Sequence, residues 1–211
     1  MFILGITGSI GCGKSTVSRI LYDKGVPVLD ADAISKDVTA QDGDAISEIE
    51  EVFGPRAILS DRSLNREYMA DIVFKDNRKL DELSSIIHKH VFIVMDKEIA
   101  RLTKEKEKCV VLDVPIPVNK GFVDHCDQIW SVICDDPIRL KRLIDRGMSR
   151  EDALRRMSVQ MTNDEYAALA DHVIDNSGSY DDLVERINEL IKSELNERGI
   201  RLSDRSREDD Q

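Results

Sequence analysis

The sequence predicts an α/β fold: a parallel sheet of about five strands with helices on both faces. Five short, β-branched apolar runs, at residues 2–7, 26–29, 109–113, 129–134 and 172–174, each stop at a polar or turn residue. Most do not alternate with polar residues, which is the pattern of strands buried on both sides. Helically spaced apolar residues separate the runs, as crossover connections between parallel strands require.

The run at 2–7 has no basic segment before it and passes straight into a glycine-rich turn, so it reads as a first strand and not as a signal peptide. A helix then opens at Gly13-Lys14-Ser15, carries Val17, Ile20 and Leu21 on one face, and stops at Lys24-Gly25. The second strand ends in Asp30-Ala31-Asp32. From there to Cys109 the gap far exceeds the dozen or so residues of a simple crossover. Helical spacing in Ile46, Ile49, Val52 and Phe53, in Met69, Val73 and Phe74, and in Leu80, Leu83, Ile87 and Val91 makes residues 33–101 a helical insertion. The alternating charges of 101–108 suit a solvated helix end. Beyond the next two strands a helix runs from Asp136-Pro137 to Arg146-Gly147, with proline in its first turn and glycine past its end. Ser149 caps a further helix, with Asp152 completing a capping box. The expected organisation is one domain over 1–199, with a lid at 136–165 and a disordered polar tail at 200–211.

The chain has 211 residues and a net charge of −11. That charge argues against a nucleic-acid or membrane-surface binder, because polyanionic partners demand extended basic surface. It leaves room for a small phosphate ligand, which needs only a local cationic pocket. No apolar run approaches the roughly 20 residues of a membrane span. Cys12, Cys109, Cys126 and Cys134 form no C-x-x-C pair and read as reduced thiols of a cytoplasmic chain. His90, His125 and His172 lack the partner spacing of a metal site.

Gly8-Ser9-Ile10-Gly11-Cys12-Gly13-Lys14-Ser15 fits G-x-x-x-x-G-K-S/T, and Thr16 follows. The match leaves a predicted strand and opens a predicted helix, the context a phosphate-cradling loop requires. Its glycines let backbone N–H groups point at a phosphate, and the helix N-terminus adds partial positive charge. Lys14 can reach the β- and γ-phosphates and Ser15 can ligate Mg²⁺. Cys12 reads as a small spacer, since phosphoryl transfer to a hydroxyl needs no thiol.

The second strand brings Asp30 and Asp32 to the carboxyl edge of the sheet, where the first strand delivers the loop. In extended chain, residues i and i+2 share a side, so both carboxylates could face the phosphates. The alternative is that one of them caps the helix that follows. Asp113, ending its strand, is either a metal-side carboxylate or a plain turn residue. Arg139, Arg142 and Arg146 recur on one helix face, and Arg155 and Arg156 follow on the next helix. A solvated amphipathic face accounts for such a stripe, but two short capped helices joined at Gly147 suit a lid that carries guanidinium groups to a migrating phosphoryl. Arg142, Arg146 and Arg156 are the individual candidates. His88, among Leu83, Ile86 and Ile87, reads as half-buried, with a substrate-side role as the alternative.

Taken in order from Gly5 to Gly178, these marks resemble the dephospho-coenzyme A kinase family, in the nucleoside-monophosphate-kinase-like branch of P-loop proteins. The similar segments are the loop from Gly5 to Thr16, Asp30-Ala31-Asp32, Phe53-Gly54, Leu64-Asn65-Arg66, Ile86-Ile87-His88, Asp113-Val114-Pro115, Arg156 to Gln160, and Ala170 to Gly178. The resemblance implies a P-loop NTPase fold and transfer of the ATP γ-phosphoryl to the 3′-hydroxyl of dephospho-coenzyme A, with Mg²⁺ on Ser15. It implies Asp32 as catalytic carboxylate, with Lys14, Arg142 and Arg146 stabilising charge. Nucleotide contacts would come from the loop, Gly8 to Thr16, and from Asn176 and Gly178. Acceptor contacts would come from Asp30, Arg66, His88, Asp113, Pro115 and Arg156. The chain is expected to be cytoplasmic, and the sequence leaves open a monomer or a small homo-oligomer.

Two segments depart from the family pattern. Ile116-Pro117-Val118-Asn119-Lys120 replaces two leucines, Phe and Glu, and Lys89 replaces a proline. Both fall where the acceptor would bind. A kinase of the same fold acting on another nucleoside or nucleotide is therefore the nearest rival reading. A nucleotide-dependent ATPase switch is a second, disfavoured because no N-K-x-D mark is present. A dead nucleotide-binding regulator is a third, disfavoured by the intact Lys14, Ser15 and Asp32.

Overall fold

The computed structural model describes residues 1–114 and 122–202. The chain divides into two compact units, one of residues 1–29 and 106–211, the other of residues 30–105.

The first unit is built on a five-stranded sheet of order β2-β3-β1-β4-β5. Its strands are β1 (Phe2–Gly8), β2 (Val28–Asp30), β3 (Cys109–Asp113), β4 (Gln128–Ile133) and β5 (His172–Asp175). β1 lies between β3 and β4 and runs parallel to both; Ile6 stands opposite Asp113, and Gly8 opposite Val132. β5 extends the parallel set, with Ile133 opposite Asp175. This register aligns the carboxyl ends of β1, β3, β4 and β5 along one edge. Every residue of β3 is buried, which explains its unbroken apolar run.

On one face of the sheet, Leu4, Ile6, Val111, Trp130, Val132 and Ile174 pack with Val17 and Leu21 of α1 (Lys14–Asp23). Burying each such aliphatic side chain contributes roughly 1.5–3 kcal/mol before entropy is counted. Lys24 caps α1, and Gly25 leaves it at φ 94°, the left-handed conformation that glycine adopts without steric cost.

The second unit holds four helices: α2 (Ala31–Val38), α3 (Ile46–Phe53), α4 (Arg66–Val73) and the 28-residue α5 (Asn77–Lys104). The side chains of Asp30, Asn65 and Asp76 cap α2, α4 and α5. Val38, Ile46, Ile49, Met69, Leu83, Ile86, Val91 and Met95 make its core.

In the first unit the remaining helices are α6 (Phe122–His125), α7 (Asp136–Asp145), α8 (Arg150–Ser158), α9 (Asn163–Ala168) and α10 (Tyr180–Leu190), followed by a π-helical turn, Ile191–Asn196. Ser149 caps α8 by accepting from the Asp152 amide at 3.1 Å, but the reciprocal arm of the expected capping box is missing. The Asp152 carboxylate takes Arg155 at 2.5 Å instead, an ion pair one turn along the helix. Full capping boxes occur at Thr162 and Ser179. The expected tail does not begin at 200, because Ile200 is buried and Leu202 packs against the same core. Residues 203–211 lie outside the described residues. No described helix is long and apolar enough to cross a membrane.

Candidate active site

β1 ends at Gly8 and α1 begins at Lys14, so residues 8–13 form the turn between strand and helix. Gly11 at φ 80° and Gly13 at φ 94° occupy left-handed backbone. A Cβ on Gly11 would stand 3.1 Å from the Arg139 carbonyl oxygen, and one on Gly13 would run into the side-chain amide of Asn176. The loop is thus packed from behind by α7 and by the residue after β5.

Those same neighbours hold the loop carbonyls. The Asn176 side chain donates to the Cys12 carbonyl at 2.8 Å, and Arg142 Nη1 reaches it at 3.4 Å. Arg139 Nε donates to the Ile10 carbonyl at 3.2 Å. The backbone amides of Gly11, Gly13 and Ser15 have no acceptor among the described residues. Carbonyls fixed by side chains and amides left unpaired at a helix N-terminus make an anion cradle.

Lys14 pairs with Asp113, and Ser18 Oγ donates to the second Asp113 oxygen at 2.6 Å. Asp113 is 3% exposed, so its carboxylate is fixed between the ammonium and a hydroxyl of α1. It does more than end a strand, because it sets where Lys14 starts from. Ser15 is exposed at the head of α1, whereas Ser9 is buried with a hydroxyl that has no partner among the described residues. Thr16 donates its amide to the Gly13 carbonyl at 2.9 Å. Cys12 is fully buried, and that burial pushes its thiol up to about 11, against the lowering expected of a helix N-terminus. It is a neutral packing residue.

The arginine stripe splits by position. Arg142 turns to the loop, and its Nη2 also donates to the Asn176 carbonyl at 3.0 Å. Arg146, the cap residue of α7, and Arg156, in the last turn of α8, are exposed, and their guanidinium groups make no hydrogen bond or ion pair among the described residues. Gly178 is exposed beside the Ser179–Asp182 cap, where a Cβ would meet an Asp182 carboxylate oxygen at 2.9 Å.

The remaining described candidates belong to the second unit. Asp30 is the N-cap of α2, accepting from the amides of Asp32 and Ala33 at 2.8 and 3.1 Å. Because α2 starts at Ala31, Asp32 is helical and exposed, and the two carboxylates do not share one side of an extended strand. Arg66 donates to Thr39 Oγ1 at 2.9 Å. His88 keeps an accessible face on α5, and partial burial of its imidazole lowers its pKa. Lys89 reaches the Glu48 carboxylate at 2.9 Å, and His90 shares that carboxylate at 2.8 Å. These two contacts hold Glu48 below the usual carboxylate range. Lys89 therefore serves the packing of α3 on α5. Pro115 and residues 116–120 lie outside the described residues.

Sequence reasoning missed three contributors. Ser18 sits one turn after the loop and carries no motif signal. Gln160 accepts from the Ile10 amide at 2.8 Å across 150 residues. Arg139 is 3% exposed, yet its i, i+3, i+7 spacing with Arg142 and Arg146 reads as a solvated face. No group of three or more His, Cys, Asp or Glu able to hold a metal occurs among the described residues.

The family model for dephospho-CoA kinase matches residues 2–182. The dephospho-CoA kinase of Carboxydothermus hydrogenoformans is 38% identical over 191 residues, covering 90% of this chain and 93% of that protein. The Staphylococcus aureus enzyme of the same name is 35% identical over 193 residues, covering 91% and 93%. Among solved structures, TT1252 from Thermus thermophilus superposes with a TM-score of 0.78 at 34% identity, covering 92% of this chain and 97% of that one. Dephospho-CoA kinase from Campylobacter jejuni shares the fold, with a TM-score of 0.69 at 24% identity over 90% of this chain and 96% of that one.

Proposed function

The chain belongs to the dephospho-CoA kinase family, and on that premise we propose that it transfers the γ-phosphoryl of ATP to the 3′-hydroxyl of dephospho-coenzyme A, giving coenzyme A and ADP. The observation that carries this reading is the loop of residues 8–15: the amides of Gly11, Gly13 and Ser15 have no acceptor among the described residues, while the Ile10 and Cys12 carbonyls are held by Arg139, Arg142 and Asn176.

The residues present fit a Mg²⁺-bound nucleotide. The Ser15 hydroxyl is exposed at the helix head and supplies a hard oxygen ligand. When bound, Mg²⁺ supplies charge neutralisation on the β- and γ-phosphates. The loop amides take the phosphate oxygens. Lys14 leaves Asp113 to follow the charge that moves onto the leaving oxygen, while Ser18 keeps the carboxylate in place. Arg142 steadies the Cys12 carbonyl and presents its guanidinium beside the loop. Asp32, exposed in the first turn of α2, takes the proton of the attacking 3′-hydroxyl. Arg146 and Arg156, both without a partner among the described residues, supply cations for a closing lid. Asp30, Arg66, His88 and Pro115 complete the acceptor contacts. The nucleotide is held by the loop and by the turn at Asn176 and Gly178. The chain works in the cytoplasm, as a monomer or small homo-oligomer, without nucleic acid or membrane.

An acceptor panel tests this reading. With Mg·ATP, dephospho-coenzyme A is expected to give a kcat/KM at least a hundredfold above that of adenosine or AMP. A nucleoside or nucleotide that matched it would favour the rival kinase.

A further inference from the structure

We propose that Arg139 and Gln160 form a clamp on the main chain of Ile10 that sets the phosphate loop for its β-phosphate. Neither residue belongs to the loop, and neither touches the loop's open amides. The proposal rests on the nucleotide reading above and assigns to that site two positioning residues.

Ile10 stands mid-loop, and both its backbone groups are taken by side chains from distant parts of the chain. Its amide donates to Gln160 Oε1 at 2.8 Å, two residues beyond α8. Its carbonyl accepts from Arg139 Nε at 3.2 Å, on α7. The next residue, Gly11, is left-handed and packed on the carbonyl oxygen of the same Arg139, so the clamp fixes the turn from which the Gly11 amide emerges. A loop this rich in glycine has little stiffness of its own. Two hydrogen bonds on one peptide-flanked residue supply it.

The guanidinium is itself constrained. Arg139 is 3% exposed, its Nη1 donates to Asp136 at 2.7 Å, and its Nη2 is buried with no partner among the described residues. A buried cation with one donor unmet is kept in place by the bonds it does make. Its charge also lies directly behind a loop whose open amides invite an anion. Both side chains border a cavity of about 430 Å³ shared with Leu154 and Met157, so shorter or neutral replacements can be accommodated without a clash.

The test compares ADP with AMP by calorimetry on the full chain and on Gln160→Met and Arg139→Gln, each checked for folding by thermal melting. AMP lacks the β-phosphate and reports the rest of the nucleotide site. The parent is expected to bind ADP more tightly than AMP. Each variant should lose about tenfold in ADP affinity, the scale of a hydrogen bond to a charged group, while AMP affinity stays within twofold. The double variant should fall within about threefold of the weaker single, because both residues act through Ile10. A merely structural role would lower the melting temperature and leave the ADP-to-AMP ratio alone, and that result in a folded variant overturns the clamp. Equal losses for ADP and AMP overturn it as well. If Arg139→Gln does not fold, Gln160→Met decides alone. A parent that bound ADP no better than AMP would overturn both the clamp and the nucleotide reading.

Discussion

Asp113, the last residue of β3, and Lys14, the first of α1, are paired across 99 residues of sequence, and Ser18 holds the far oxygen of the same carboxylate. The pair places the one lysine of the phosphate loop before any ligand arrives. Replacing Asp113 with Asn leaves the ammonium without its counter-charge in a largely buried position. The expected cost is about 2 kcal/mol of stability, below the value for a fully buried pair because the Lys14 side chain is 15% exposed. Turnover should fall about a hundredfold through misplacement of Lys14. Urea melts and steady-state kinetics on Asp113→Asn check both, and wild-type values for either would contradict the role given to the pair.

Asn176 ties the end of β5 to the loop through the Cys12 carbonyl and lies against Gly13. Truncation to Ala leaves that carbonyl only the 3.4 Å contact of Arg142, at a cost of about 1 kcal/mol, and should raise the KM for ATP about tenfold. The KM for the acceptor should move much less. A variant in which the acceptor KM alone rises would place Asn176 on the wrong substrate.

Ser15 is exposed, so removing its hydroxyl should leave the melting temperature within a degree or two. The Mg²⁺ concentration for half-maximal rate should rise about tenfold in Ser15→Ala. An unchanged Mg²⁺ titration would remove Ser15 from the metal.

The buried thiols predict an alkaline loss of stability. Burial pushes Cys12 to about 11 and, with the Asp127 charge adding to it, Cys109 and Cys126 to about 12, from an ordinary value of 9.0. The folded state then holds protons that the unfolded state releases. The stabilisation is complete below pH 9 and is lost as pH rises toward 11–12. Denaturation midpoints should fall through that window, on the order of 1 kcal/mol per pH unit for each thiol at most. Cys109→Val should fall less steeply than the parent. Parallel curves for the two would contradict the assignment.

Asp32→Asn should bind ATP normally and transfer its phosphoryl 10²–10⁴ times more slowly, the usual contribution of a positioned base. Calorimetry for binding and single-turnover kinetics for transfer separate the two. Near-parent transfer by a folded variant would remove Asp32 from the chemistry.

All five strands, the loop and the helical insertion could be read from periodicity and turn chemistry, because those signals are local. What escaped was set by neighbours. Arg139 and Arg146 follow the same spacing, yet α7 lies so that one is buried behind the loop and the other faces water. The Ser149–Asp152 box had the right residues, but Arg155 competes for the carboxylate. Asp30 was legible as either cap or ligand, and the early start of α2 settled its cap. Gln160 reaches Ile10 only because the sheet brings residues 150 apart together, a relation no window of sequence contains. Ile200 looked polar by its surroundings and is buried by the core it returns to.

The most direct measurement is the fate of a labelled γ-phosphoryl. The purified chain is mixed with γ-labelled Mg·ATP and dephospho-coenzyme A, and the position of the label is read by mass spectrometry. The account predicts label on the 3′-oxygen of coenzyme A, one ADP formed for each, and little ADP without the acceptor. Label released as inorganic phosphate at the same rate with or without dephospho-coenzyme A would contradict it.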